Sequence, residues 1–126
     1  MKTIINTNKA PAPIGPYSQA VAAGDLLFVS GQIPMNPTTG EIVSSDIKAE
    51  TNQVMENIGA ILSEAGLGFE NVLKSSIFLT DMQSFAQVNE AYGTYFTDKF
   101  PARETVQVAA LPKGVNVEIS VIALRS

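Results

Sequence analysis

The stretch from Phe100 to Leu124, FPARETVQVAALPKGVNVEISVIAL, contains two runs in which apolar and polar residues alternate, separated by Leu111–Gly114. Alternation with a period of two is typical of half-buried β-strands. The Leu-Pro-Lys-Gly sequence between the runs favours a four-residue turn. The stretch therefore predicts a β-hairpin in which Ala110 lies opposite Val115, because this register makes the alternation of the two strands agree.

That register gives the hairpin one apolar face and one polar face. The residues expected on the apolar face, in the core, are Val106, Val108, Val117 and Ile119. The pairs expected on the opposite face are Gln107 with Glu118, Thr105 with Ser120, and Arg103 with Ile122. Arg103 and Glu118 would then share the face away from the core, offset by roughly 13 Å of backbone at ~3.3 Å per residue. Two long side chains at that offset could bracket a small ligand.

Arg103 and Glu118 each have an ordinary alternative role. Charged residues on a strand are usually solvated surface groups, and the pattern alone favours that interpretation. However, Arg103 is one of only two arginines and follows the rigid Pro101. A guanidinium also matches a carboxylate with two parallel hydrogen bonds, which a lysine cannot do. These features make Arg103 a candidate anion-binding residue.

The rest of the chain supplies four further strands and two helices. We expect strands over residues 3–6, 17–23, 25–33 and 72–80, a helix over 46–65, and a second helix from Asp81 or Ser84 to near Lys99 or Phe100. Gly24-Asp25 predicts a tight hairpin turn, Ser45 or Asp46 a helix N-cap, and Gly66 a left-handed helix end. The order β-β-β-α-β-α-β-β, with one apolar stripe per helix, predicts a single α+β domain over residues 1–126 with both helices on one face of the sheet.

Three other positions combine a structural and a functional interpretation. Tyr17 follows the turn-forming Gly15-Pro16, and its ring could be part of the core or line a site. Ser30-Gly31 interrupts an apolar strand, where the glycine favours a β-bulge or a close strand crossing over the alternative, the close approach of a ligand. Asn89 lies beside the apolar Val88 on the second helix, where a solvated side chain is the simpler interpretation.

Composition excludes several classes of function. Only 16% of the residues are charged, which leaves little polar material to cover a small domain and favours self-association. The net charge of −4 and the lack of a basic run argue against nucleic-acid binding. The chain has no Cys and no His, which removes thiol nucleophiles, imidazole catalysis and ordinary zinc sites. We expect no metal, and with neither a secretory signal nor a membrane-spanning window we expect a cytoplasmic protein without a membrane partner.

Several stretches together resemble one family along essentially the whole chain and in the same order. They are GPYSQAV, LLFVSGQIP, TNQVMENIGAIL, SSIFLTDM, FAQVNEAYGTYF and PARETVQVAALPKGVNVEI. This set is similar to the Rid family, also called YjgF or reactive intermediate deaminases.

The resemblance implies a chorismate-mutase-like α+β fold, a mixed six-stranded sheet with two helices on one face, that assembles as a homotrimeric barrel. It also implies active sites in clefts between subunits and hydrolysis of 2-imino acids and enamines, such as 2-iminobutanoate and 2-iminopropanoate, to 2-keto acids and ammonia without a cofactor. Carried over by motif, Arg103 would bind the substrate carboxylate and Glu118 would lie near the attacking water. The other residues implied to line the cleft are Tyr17, Ser30, Gly31, Asn89 and Thr105. Many members have Cys where this chain has Thr105, and that position is thought to act mainly through its backbone.

Two other functions remain open at this point. The chain could be a non-catalytic, regulatory binder of small carboxylates with the same fold. An RNA-directed role is the third hypothesis, because ribonuclease and translation-inhibitor labels attach to some relatives. The negative charge and the lack of His disfavour that third hypothesis.

Overall fold

Six strands form one mixed sheet in the order β1-β2-β3-β6-β4-β5. The structure is a computed structural model that describes residues 1–125. Its strands are β1 (Thr3–Ile5), β2 (Ala20–Ala23), β3 (Leu26–Gln32), β4 (Val72–Leu79), β5 (Ala102–Gln107) and β6 (Val117–Leu124), and its helices are α1 (Ile47–Glu64) and α2 (Phe85–Gly93). Neighbouring strands are antiparallel, except that β4 and β5 are parallel.

Both helices cover the same face of this sheet, as the sequence predicts. The core lies between α1 and the central strands, and its largest fully buried side chains include Leu27, Ile58, Ile77 and Ile119. α2 packs beside α1, and its Tyr92 donates a hydrogen bond from its hydroxyl to the Ser75 hydroxyl of β4. Within residues 1–125, no helix combines the length and apolar character that a membrane crossing requires.

Local signals in the sequence place the first half of the fold correctly, except that β2 begins at Ala20 and not at Tyr17. The Asp46 side chain accepts a hydrogen bond from the Ala49 amide at 2.8 Å and so caps α1. Gly66, just past the helix, has a φ of 77°, the left-handed conformation expected there. Gly24 also has a positive φ, 57°, in the tight turn that joins β2 to β3.

The predicted hairpin of the last two strands is wrong. β5 pairs in parallel with β4, with Arg103 beside Ser75, and β6 lies on the other side of β4. α2 is the crossover that connects β4 to β5, and parallel strands require such a connection. The segment after β5 makes a 3-10 turn at Pro112–Gly114, where Lys113 and Gly114 both have positive φ, and carries the chain across to β6.

The parallel pairing reverses the predicted faces of β5 and leaves those of β6 unchanged. Val117 and Ile119 of β6 are buried under the helices, as predicted. On β5, however, Arg103 is on the helix-covered face, because it lies beside the buried Ser75. Val106, expected in the core, is on the opposite face and is 41% exposed. Arg103 and Glu118 therefore lie on opposite faces of the sheet, and the expectation that they share one face is wrong.

α2 is shorter than predicted, because it ends at Gly93 and not near Lys99 or Phe100. The apolar residues beyond Gly93 fit helical spacing, but Tyr95 and Phe96 pack against Phe69 with ring centroids 5.2 and 5.7 Å apart, from turns that follow the helix. At its N-terminus, α2 begins at Phe85, directly after the predicted start at Ser84, and the Ser84 side chain makes no capping hydrogen bond.

Candidate active site

One face of α2 encloses the Arg103 guanidinium. Phe85, Asn89 and Tyr92 are spaced by four and three residues, so they lie on the same side of the helix. The Arg103 guanidinium carbon lies 5.6 Å from the Phe85 ring centroid and 5.4 Å from that of Tyr92. Its Nη1 donates a 2.6 Å hydrogen bond to Asn89 Oδ1. The cation is thus held by two aromatic rings and a neutral amide, both favourable partners for a guanidinium.

No carboxylate neutralises Arg103 within the described chain. The ion pairs found in residues 1–125 are Lys48 with Glu90 and Lys74 with Glu104, and Glu104 belongs to the opposite face of β5. Burial raises the pKa of the Tyr92 hydroxyl despite its hydrogen bond to Ser75 and the nearby Arg103 charge. The phenol therefore stays neutral at physiological pH. A half-buried cation without a counter-ion is a candidate binding position for a small anion.

A cavity of about 350 Å³ opens beside this cation. It is lined by Asn89, Tyr92, Gly93, Phe100, Pro101 and Arg103. The Phe100 ring is 63% exposed, which leaves an aromatic surface next to the charged group. The cavity therefore offers a guanidinium with apolar surroundings.

A second cavity, of about 310 Å³, lies around Glu118 and is called here the Glu118 pocket. It is lined by Ile14, Tyr17, Ser30, Gly31, Ile33, Pro112 and Glu118. The Glu118 carboxylate is half-buried and has no hydrogen-bond or ion-pair partner among residues 1–125. Burial raises the pKa of Glu118, because removal from water disfavours the charged form. The pocket therefore holds a carboxyl that binds its proton more tightly than an exposed glutamate does.

Gly31 allows the Glu118 carboxylate to lie directly against the backbone of β3. A Cβ at this position would overlap the Glu118 carboxylate. The register of β3 with β6 shifts between Val29 and Gln32, which agrees with a β-bulge at Ser30-Gly31, one of the two structural interpretations of these residues. The register shift and the lack of a side chain at Gly31 together allow the Glu118 carboxylate to contact the β3 backbone.

Ser30 and Tyr17 make local bonds within the same pocket. The Ser30 hydroxyl donates to the Ser18 carbonyl at 2.6 Å, and the Ser30 amide donates to the Gln19 carbonyl at 2.9 Å. The Tyr17 hydroxyl accepts a 3.3 Å hydrogen bond from the Ile14 amide. The ring of Tyr17 is 47% exposed, which excludes the interpretation of Tyr17 as a core residue.

Three buried polar side chains hold the segments that form the pocket walls. The Gln19 side chain bonds to the Thr7 amide and to carbonyls between Thr7 and Pro11. Asn57 of α1 donates to the Ile33 and Met35 carbonyls. Glu50 of α1 accepts from the amide and side chain of Asn116, which precedes β6. Buried polar groups that are fully bonded give a loop one defined position.

The predicted site residues thus fall into two clusters. Tyr17, Ser30, Gly31 and Glu118 meet in the Glu118 pocket, whereas Asn89 and Arg103 meet on the helix-covered side. Asn89 is half-buried and bonded, so the interpretation of Asn89 as a merely solvated residue is wrong. Sequence reasoning missed the pocket walls Ile14, Ile33 and Pro112 and the contacts of Phe85 and Tyr92 with Arg103. The spacing of four and three residues between Phe85, Asn89 and Tyr92 could have predicted that these two aromatic side chains lie beside Asn89.

Thr105 lines neither cavity but carries an unusual hydroxyl. It follows Arg103 by two residues on β5 and lies on the same face. Its Oγ1 is buried without a hydrogen-bond partner in the described chain. A buried hydroxyl in that state destabilises a fold by about 1–3 kcal/mol. No group of three or more His, Cys, Asp and Glu side chains in residues 1–125 is arranged to hold a metal ion.

We expect Glu118→Gln to stabilise the fold at neutral pH. The raised pKa means that folded wild-type protein binds the Glu118 proton more tightly than unfolded protein does. The contribution of the Glu118 proton to the stability of the wild-type fold is therefore complete at pH values below the ordinary glutamate pKa. It is lost as the pH rises through the raised pKa of the folded protein. Glutamine does not titrate, so the thermal midpoint of the variant should exceed that of wild type by a few degrees at pH 7 to 8.

The stability gain should vanish as the pH falls to about 4, near the ordinary pKa of a glutamate. Melting curves of both proteins at several pH values measure this. The exposed Glu70, changed to Gln, is the matched control and should show no such pH-dependent gain. A gain for Glu118→Gln that is the same at all pH values, or a loss, would contradict the uncompensated burial of this carboxyl.

Known proteins resemble this chain over its whole length. Residues 7–125 match the family model described as Endoribonuclease L-PSP. A RutC family protein of Pyrococcus horikoshii is 54% identical over 125 residues, 99% of each chain. The human 2-iminobutanoate/2-iminopropanoate deaminase is 46% identical over 125 residues, 99% of this chain and 91% of the human protein.

Solved structures agree with the sequence comparisons. The structure of YyfA from Yersinia pestis, a protein of unknown function of the conserved Rid protein family, superimposes with a TM-score of 0.96. The identity is 50%, and the match covers 98% of this chain and 99% of that one. The α+β arrangement of a six-stranded mixed sheet and two helices is therefore shared. On these matches, the chain belongs to the Rid family, also called YjgF.

Proposed function

We propose that this protein hydrolyses 2-imino acids and their enamine tautomers, such as 2-iminobutanoate and 2-iminopropanoate, to 2-keto acids and ammonia. The observation that carries the proposal is the half-buried Arg103 guanidinium, which is oriented by neutral partners and lacks a counter-ion in the described chain. Relatives named as this deaminase, with 46–48% identity, support the same reaction.

The proposed chemistry uses side chains alone. Arg103 binds the substrate carboxylate with two parallel hydrogen bonds, while Asn89, Phe85 and Tyr92 hold the guanidinium in place. The iminium carbon is already electrophilic, so it needs a positioned water more than a covalent nucleophile. Glu118 orients and deprotonates that water as a general base. No cofactor takes part in this scheme.

We further propose that each active site combines Arg103 of one subunit with Glu118 of its neighbour in a homotrimer. In a single chain these two side chains are on opposite faces of the sheet, so one small ligand could not contact both. The sheet face opposite the helices is partly apolar, with Phe28 and Val106 more than 40% exposed. An exposed apolar face of this kind is typical of a surface that another chain covers.

Within the cleft, Tyr17, Ser30, Gly31 and Thr105 would shape the space around the substrate. Ser30 has its hydroxyl proton committed to the Ser18 carbonyl, so its role is to hold the bulge. Gly31 brings bare backbone to the Glu118 carboxylate. Thr105 would contribute through its backbone, because its hydroxyl is buried.

The second candidate is a non-catalytic receptor for small carboxylates. The Arg103 cluster favours it, because this cation with its aromatic surroundings could bind a carboxylate without Glu118. Such a receptor would bind 2-oxobutanoate but would not accelerate imine hydrolysis. Turnover therefore separates the two candidates.

We expect Arg103→Ala to lower kcat/KM for imine hydrolysis by at least about 100-fold, because it removes two charge-assisted hydrogen bonds worth about 1.5–3 kcal/mol each. The substrate is generated in situ with a threonine dehydratase or an amino-acid oxidase, and release of the keto acid is followed. Arg125→Ala is the matched control, since Arg125 is the other arginine and bonds to the Gly24 carbonyl at the surface. Full activity of the Arg103 variant would exclude it as the carboxylate-binding residue.

Mixed assemblies test the proposed origin of the site. Subunits with Arg103→Ala and subunits with Glu118→Gln are each expected to be inactive alone. Co-expressed and purified through two different tags, they should regain about a third of the wild-type activity, because one of the three interfaces of each mixed ring has both intact side chains. A mixture as inactive as its parents would contradict a site shared between subunits.

We expect Gly31→Ala to reduce activity at least about tenfold while leaving the fold intact, because the new methyl group displaces the carboxylate. Gly31 has an ordinary φ, so alanine is not strained there. Gly68→Ala is a matched control, since its Cβ would crowd the Glu70 carboxylate in the same way at a distant surface. Melting curves and kcat/KM are measured for both variants, and unchanged kcat/KM for Gly31→Ala would contradict the position assigned to Glu118.

A further inference from the structure

The hydrogen bonds of the Glu118 pocket leave few groups that could supply a proton to a ligand. The Ser30 hydroxyl proton is bound to the Ser18 carbonyl at 2.6 Å, which leaves Ser30 only acceptor capacity. The Tyr17 hydroxyl accepts from the Ile14 amide and keeps its own proton available. Glu118 has no partner in the described chain. Only Tyr17 and Glu118 could therefore act as side-chain acids in this pocket.

Of these two groups, the carboxyl is the stronger acid by chemical class, since carboxylic acids ionise several pH units below phenols. The walls from Ile14, Ile33 and Pro112 are apolar and favour the neutral carboxyl. Burial raises the pKa of Glu118, so its protonated fraction near neutral pH exceeds that of an exposed glutamate. The pocket thus contains a carboxyl that is protonated in a larger fraction of molecules than an exposed glutamate is, and that can still release the proton.

We propose that Glu118 also protonates the β-carbon of enamine substrates, so that the protein is an enamine–imine tautomerase as well as an imine hydrolase. This inference rests on the proposed function. Enamines and imines interconvert by moving one proton between the nitrogen side and the β-carbon. Protonation of carbon is slow without a positioned acid, and Glu118 lies against the backbone of Gly31 and lines the cavity.

The electron pairs and protons of this cycle balance. The C2–C3 π pair of the enamine takes the Glu118 proton, which forms a C3–H bond and breaks the carboxyl O–H bond, while the nitrogen lone pair forms the C=N bond. The iminium cation then faces the Glu118 carboxylate. That carboxylate removes a proton from water as the water oxygen bonds to C2, and the C=N π pair returns to nitrogen.

The carbinolamine that results collapses with Glu118 in the same position. The carboxyl gives its proton to nitrogen, the C2–N bond breaks, and ammonia leaves. As the C2=O bond forms, the hydroxyl proton returns to Glu118. The net reaction is enamine plus water to 2-keto acid plus ammonia, and Glu118 ends protonated, ready for the next enamine. Because C2 and C3 are adjacent atoms, about 1.5 Å apart, one carboxyl can serve both.

A stereochemical experiment separates this inference from the proposed hydrolysis. In D₂O, threonine and a dehydratase generate the four-carbon enamine, and its uncatalysed protonation places deuterium on both faces of C3 equally. The 2-oxobutanoate is reduced at once with lactate dehydrogenase to prevent exchange at C3, and the configuration at C3 is read by NMR. A parallel arm starts from 2-aminobutanoate and an amino-acid oxidase, which delivers the imine directly.

With the wild-type protein we expect at least about a tenfold excess of one C3 configuration in the enamine arm, which corresponds to ~1.4 kcal/mol of discrimination between the two faces. The dehydratase without the protein sets the baseline. Glu118→Gln should lose the excess, whereas the exposed control Glu70→Gln should keep it.

The remaining outcomes overturn the inference in distinguishable ways. Labelling at the baseline ratio, together with accelerated keto-acid release in the imine arm, overturns the acid role of Glu118 and leaves the hydrolase intact. An excess that survives in Glu118→Gln assigns the proton to another group and overturns it too. If the protein accelerates keto-acid release in neither arm, the proposed function is wrong, and the tautomerase inference is wrong with it.

Discussion

The parallel pairing of β5 with β4 is the constraint on which the rest of the site depends. It places Arg103 beside Ser75, on the face that the helices cover, and so directs an arginine towards α2. A buried guanidinium needs partners, and α2 supplies Asn89 and two aromatic rings but no carboxylate. The cation is therefore oriented and partly dehydrated while its charge remains available for an anion.

The same constraint keeps the charges of the two candidate site residues, Arg103 and Glu118, apart within one chain. If Arg103 and Glu118 shared a face, as the predicted hairpin requires, both could contact one small ligand within a single chain. On opposite faces, each stays uncompensated, which is unfavourable for folding but useful for binding and proton transfer. The raised pKa of Glu118 follows from its burial, which removes the carboxylate from water.

Signals local to a segment were sufficient for much of the fold. The cap at Asp46, the left-handed Gly66 and the two-residue turn at Gly24 each report on their own neighbourhood, and the structure has them as predicted. The alternation in β6 also identified its buried face correctly. Each of these inferences needed only the residues of one element and its ends.

The arrangement of β5 could not be predicted in this way. Alternation tells which residues of a strand share a face, but it does not tell which strand lies next to it. β5 is an edge strand, so its apolar Val106 could be left on the open face while the polar Arg103 and Thr105 faced the helices. The sequence names Arg103, Asn89 and Glu118 as candidate site residues, but only the structure shows that Glu118 belongs to a different cluster from the other two.

Each cluster is already formed within one chain, and this bears on how assembly could produce a site. Asn57 and Glu50 fasten the walls of the Glu118 pocket to α1, and Asn89 fixes Arg103 to α2. In each half, hydrogen bonds within one chain hold either the surrounding segments or the cation. Association between chains would then join two rigid surfaces and would cost little additional conformational entropy in the site itself. A substrate would meet a positioned cation and a positioned carboxyl at once, which is the condition that electrostatic catalysis requires.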